Sequence, residues 1–223
     1  MGKKTKAALL FFCLYPAIVD FLAINLSFQP FATYGIGKLI MIAIPLIVWY
    51  RSGVSLRVLR LRIGLARISV VKGLLTGTLM SALIYLAYNL FFKSMVNPGP
   101  IIDRLYALDL TDHYITTAFF LSFSNSLMEE YYWRGFILDQ MKKMISGVVP
   151  LCILNGIFFS IHHFAALLPM FRLNLTLAFA AATGVAAAVW SWQRLAGQSL
   201  LDCYVSHVLA DLAIFYVGWE VIQ

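Results

Sequence analysis

At 223 residues, 61% hydrophobic and only 12% charged, with a mean hydropathy of +0.84, the chain is far more apolar than a water-soluble domain of its size. This excludes soluble enzymes and binding modules. A signal peptide does not account for the excess either, because apolar runs of roughly 20 residues, long enough to cross a bilayer, recur along the whole sequence.

Cutting these runs at charges, glycines and prolines predicts seven spans, at about 7–28, 36–50, 70–92, 114–141, 147–168, 173–192 and 199–219. The expected fold is all-α, a polytopic transmembrane helical bundle of about seven spans. The count becomes six to eight if Pro16 in the first span, or Pro45 in the short second one, turns the chain back. Residues 1–223 read as a single integral membrane domain, with no internal repeat or low-complexity tract.

Lys3, Lys4 and Lys6 precede the first span, which carries no small-residue cleavage site and reads as a retained helix. Arg51, Arg57, Arg60, Arg62, Arg67 and Lys72 fall between the second and third spans. Lys142, Lys143 and Arg194 fall in later loops of the same side. The opposite side holds Lys38, Lys93, Arg104 and Arg172, alongside Asp103, Asp109 and Asp112. By the positive-inside rule the N-terminus is cytoplasmic and the C-terminus external. The net charge of +7 is thereby a topology signal, and no nucleic-acid partner is expected. Cys13, Cys152 and Cys203 all lie in apolar spans and are odd in number, which suits small packing residues better than disulfides or metal ligands.

The fourth span departs from the apolar pattern. Ser122, Asn125, Ser126, Glu129, Glu130 and Arg134 follow one another at steps that make a continuous polar stripe on a helix, which must face protein or water. Charges at membrane depth cost several kcal/mol each and rarely persist without a partner or a task. Glu130 and Arg134, at i and i+4 with the acid first, are arranged to pair. Glu129, turned by about 100°, either acts on something else or pairs with some lysine elsewhere. In the fifth span, Asn155, Phe158, Phe159 and His162 share one face, and His163 is turned one residue step away. In the seventh, His207 and Asp211 stand at i and i+4 with Cys203 in line one turn earlier. Three helices thus each bring polar groups to a comparable depth, in the middle or the cytoplasmic half of the bilayer.

These residues resemble the CPBP intramembrane proteases, a family named for CAAX proteases and bacteriocin-processing proteins. Its EExxxR motif stands as Glu129, Glu130 and Arg134, followed by Gly135. Its FxxxH motif is matched twice, by Phe158 with His162 and by Phe159 with His163. Its HxxxN or HxxxD motif is matched by His207 with Asp211, where the prenyl-protein endopeptidases have asparagine. The similarity covers about 114–215, so the catalytic core is expected there. The resemblance implies a peptidase acting on a membrane-associated or lipidated protein without cofactor or metal. In it Glu129 is the general base, His162 helps hold the attacking water, Glu130 and Arg134 support the site, and His207 with Asp211 stabilises the oxyanion. The doubled histidine leaves open whether His162 or His163 fills the second motif.

Three other readings use the same residues. A zinc site could be built from two histidines and a glutamate, although no HExxH is present. A proton-coupled transporter could relay protons through Asp20, Glu129, Glu130, His162 and His207. A membrane scaffold or immunity protein would use the polar residues only to hold helices together. The compact chain suggests a bacterial plasma membrane, with the endoplasmic reticulum as the alternative; substrate and oligomeric state stay open.

Overall fold

In a computed structural model, residues 3–55, 58 and 69–223 are described. Arg57, Arg60, Arg62 and Arg67, on which part of the expected orientation rests, lie outside them. All regular structure among the described residues is helical. Among the described residues, six helices are long and apolar enough to cross a membrane: α1 (Lys3–Asn25), α2 (Pro30–Arg51), α3 (Val71–Phe92), and, later in the chain, α6 (Val148–Leu167), α7 (Leu173–Leu195) and α8 (Leu200–Ile222). Between them lie a short helix outside the predicted spans, α4 (Pro98–Ala107), and a continuous helical run, α5 (114–141). The predicted fourth span is α5, and its charges set it apart from the other six.

Neither proline turns its helix back. Pro16 lies within α1 and Pro45 within α2. A proline inside a helix leaves the carbonyl four residues earlier without its usual donor. For Pro16 that carbonyl belongs to Phe12, and the Tyr132 hydroxyl of α5 donates to it at 2.8 Å. At the other end of the chain Ser199 caps α8 in a reciprocal box with Asp202. Asp202 also accepts from the Gly73 amide at 3.1 Å, tying the start of α8 to the start of α3.

Helix pairs approach closely where glycines remove side chains. A Cβ built on Gly156 of α6 would lie 2.5 Å from the Gly184 carbonyl oxygen of α7, and one on Gly77 of α3 would lie 2.9 Å from Ser206 Cα of α8. Between lipid-embedded helices, contact of this kind replaces the hydrophobic drive available in water. The interior is aromatic: Tyr132, Trp133, Phe136, Phe159 and Trp190 are all buried. The periphery is apolar, with Leu75, Leu79, Leu83, Leu86 and Leu90 of α3 exposed. Such a surface suits a bilayer and would aggregate in water. The protein is an integral membrane helical bundle.

Candidate active site

The site is organised by α5, whose backbone alternates between two helix types. Ser126–Glu130 is α-helical and is flanked by π-helical turns at Leu121–Asn125 and Tyr131–Ile137. A π turn spends an extra residue per turn and rotates everything beyond it; such turns recur at functional sites. The second turn buries Tyr132, Trp133, Arg134, Gly135, Phe136 and Ile137 in succession, so here the helix is enclosed on all sides. The polar stripe faces inward as expected: Ser122, Ser126, Glu129, Glu130 and Arg134 are buried.

Glu130 anchors one half of the site. Its Oε1 lies 3.0 Å from Arg134 Nη1 and 2.9 Å from His207 Nδ1. The Arg134 guanidinium donates to the Ala187 carbonyl at 3.3 Å and lies over the rings of Phe159 and Trp190, at 4.7 and 5.0 Å. Its charge is thus met by a carboxylate, a carbonyl and two π faces, the surroundings a buried guanidinium requires. The His207 ring stacks on Trp190 with centroids 4.3 Å apart. A carboxylate can only accept, so Nδ1 carries a proton toward Glu130, and the other nitrogen is fixed in direction. Nε2 faces Asp211 Oδ2 at 3.5 Å and Glu129 Oε2 at 3.9 Å. Asp211 also accepts from the Ser126 hydroxyl at 2.6 Å and is the most open member of the group, with its side chain 18% exposed.

Glu129 occupies the other half. Its Oε1 receives the Asn125 amide at 2.9 Å and the Lys38 ammonium at 3.2 Å, and stands 3.6 Å from His162 Nε2. Its Oε2 is buried and accepts no hydrogen bond, and neither ring nitrogen of buried His162 makes one. The His162 ring lies parallel to Trp133 at 5.7 Å. His163 sits beside it, ring centroids 4.1 Å apart, with Nδ1 3.2 Å from the Phe159 carbonyl.

All six predicted site residues therefore meet in one buried cluster, together with His163. The helical phase had turned His163 away from that face, yet the side chains of both histidines reach the same carboxylate. Lys38 was expected in the external loop region. It is instead buried inside α2, because that helix begins at Pro30 and carries Lys38 into the bundle. It pairs with Glu129, for which the sequence named no particular lysine. Its signal was present as a lone cation inside an apolar run. Asp20 of α1, also buried, lies near the same group. Lys38 lies in the first half of α2, His162 in the second half of α6, Arg134 in the second half of α5 and His207 in the first half of α8. The cluster accordingly sits mid-bundle, where the sequence also allowed the cytoplasmic half.

Glu129, His162 and His163 bring ligand atoms within 4.8 Å of one another, near enough to share a metal ion. The Lys38 ammonium, however, already rests on Glu129 Oε1. A metal bound through that oxygen would have to displace it.

Residues 111–213 match the family described as type II CAAX prenyl endopeptidase Rce1-like. The chain carries an Rce1-like domain. No curated protein and no solved structure matches the chain. The Rce1-like domain contains every predicted site residue and covers α5 to most of α8; Lys38, Tyr34 and Asp20 come from helices before it.

Proposed function

We propose that the protein is an intramembrane endopeptidase that cleaves a membrane-associated or lipidated substrate by means of a water activated by Glu129. The observation that carries this reading is the convergence of buried polar atoms that make no hydrogen bond, Glu129 Oε2 and the His162 nitrogens, beside the fixed Nε2 of His207. Buried polar groups of this kind are costly unless a water or a reacting group satisfies them. Glu129 Oε2 takes a proton from the water as its oxygen attacks the scissile carbonyl, with His162 orienting the water. The carbonyl oxygen becomes an oxyanion and receives a hydrogen bond from His207 Nε2, whose imidazolium form carries protons on both nitrogens. Glu129 then passes its proton to the departing amine. Glu130 and Arg134 hold the ring that does the donating.

The test uses the full chain in nanodiscs and an internally quenched farnesylated peptide ending in a CAAX sequence. Glu129→Gln, nearly isosteric, should lower kcat/KM by about 10³-fold, in the range of a lost general base, with Tm unchanged. A chelator should leave wild-type turnover intact. Full cleavage by the Glu129→Gln protein would sink the proposal.

A further inference from the structure

Resting on Glu129 as the base, we infer that α2, outside the Rce1-like domain, supplies a clamp that leaves one chosen oxygen of that carboxylate for the reaction. Four side chains close a ring across two helices. Lys38 Nζ meets Glu129 Oε1 at 3.2 Å. The Asn125 amide nitrogen donates to the same oxygen at 2.9 Å. The Asn125 carbonyl oxygen accepts from the Tyr34 hydroxyl at 3.0 Å. The Lys38 ammonium lies 4.9 Å from the centre of the Tyr34 ring, completing the circuit.

Both helices contribute residues four apart, 34 and 38 from α2, 125 and 129 from α5, so each pair projects from one face with no loop involved. Both donors take the same carboxylate oxygen. Oε2 is consequently left without a hydrogen bond and is directed toward His207 Nε2 at 3.9 Å. A glutamate carboxylate turns freely about its last torsion and has no inherent preference between its oxygens. The clamp selects Oε2, holds the plane of the group, and keeps a cation against a charge that the membrane interior would otherwise leave uncompensated. Lys38 is a positioning residue here: it touches the base, whereas the reacting atoms lie at the other oxygen.

The clamp is read with the same farnesylated CAAX peptide. Lys38→Met keeps the length of the side chain and removes the charge; kcat should fall by about 10²-fold, the scale of a misplaced reactive group, while KM stays within about twofold. Lys38→Arg should recover about tenfold or more of that loss, since a cation returns to the same oxygen. Tyr34→Phe, which removes a single hydroxyl and threatens folding least, should lower kcat by several-fold, roughly the effect of one lost hydrogen bond, at unchanged Tm. Wild-type kcat in a folded Lys38→Met protein, with Glu129→Gln inactive, would overturn the clamp and leave the base in place. Equal losses in Lys38→Met and Lys38→Arg, tracking a fall in Tm, would reduce Lys38 to a structural cation and overturn it as well. Turnover retained by Glu129→Gln removes the base itself, and the clamp with it.

Discussion

Asp211 shows how one side chain can be read from both of its neighbours. It stands where the prenyl-protein endopeptidases have asparagine, which can donate to an oxyanion; an ionised aspartate can only accept. The Ser126 hydroxyl donates to Oδ2 at 2.6 Å, and the same oxygen lies 3.5 Å from His207 Nε2. Under the proposed function Asp211 aims the imidazole and leaves the donating to it. Asp211→Asn should then keep turnover within about tenfold, because the amide accepts from Ser126 and offers a donor of its own. Asp211→Ala should lose about 10²-fold or more, the scale of a missing oxyanion donor. Steady-state kinetics on the prenylated peptide measure both, and unchanged turnover in Asp211→Ala would remove this residue from the site. The Asp211–His207 and Glu130–Arg134 pairs were legible in the sequence because both partners lie on one helix at i and i+4, where spacing alone brings side chains together. Lys38 was not legible as a partner of Glu129: 91 residues separate them, and a lysine near a span boundary reads equally well as a topology signal.

At the scale of helices, length and apolarity made the spans legible, while the internal geometry of α5 was hidden. Periodicity arguments assume 3.6 residues per turn, and π turns at Leu121–Asn125 and Tyr131–Ile137 break that assumption on either side of the glutamates. The Glu130–Arg134 pair survives, at 3.0 Å, although Arg134 lies inside the second π turn. His163, one residue step round the helix, still has its ring 4.1 Å from that of His162, since a phase angle describes where a Cβ points and says little about where a ring swings from it. The crossing of α6 and α7 offers the clearest test at this scale. Gly156→Ala would push a methyl into the Gly184 carbonyl at 2.5 Å. It should destabilise the protein by about 1–3 kcal/mol, typical of overpacking, visible as a lower Tm. Gly35→Ala on α2, with nothing within 4 Å of the added carbon, should leave Tm unchanged or slightly raised.

For the molecule as a whole, the positive-inside reading places the 142–147 connection in the cytoplasm and the 108–113 connection outside. Lys142 and Asp112 are both exposed at opposite ends of the bundle. A membrane-impermeant maleimide should therefore label Lys142→Cys only from the cytoplasmic side and Asp112→Cys only from the external side; the reverse pattern would invert the orientation. The charges that make the site possible also have to enter the bilayer one helix at a time as the chain is synthesised. Each ionised group at the centre of a lone helix costs about 3 kcal/mol on the insertion scale, and α5 arrives before α6 and α8 exist. It carries its own relief. Glu130 finds Arg134 on the same helix, and Glu129 finds Lys38 on a helix that has already been threaded. What remains to be added afterwards is histidine, a side chain that can cross as a neutral ring, and Asp211, which arrives on the same helix as His207. The order of residues along the chain thus doubles as an order of assembly, in which α5 arrives with counter-charges for both of its glutamates already made.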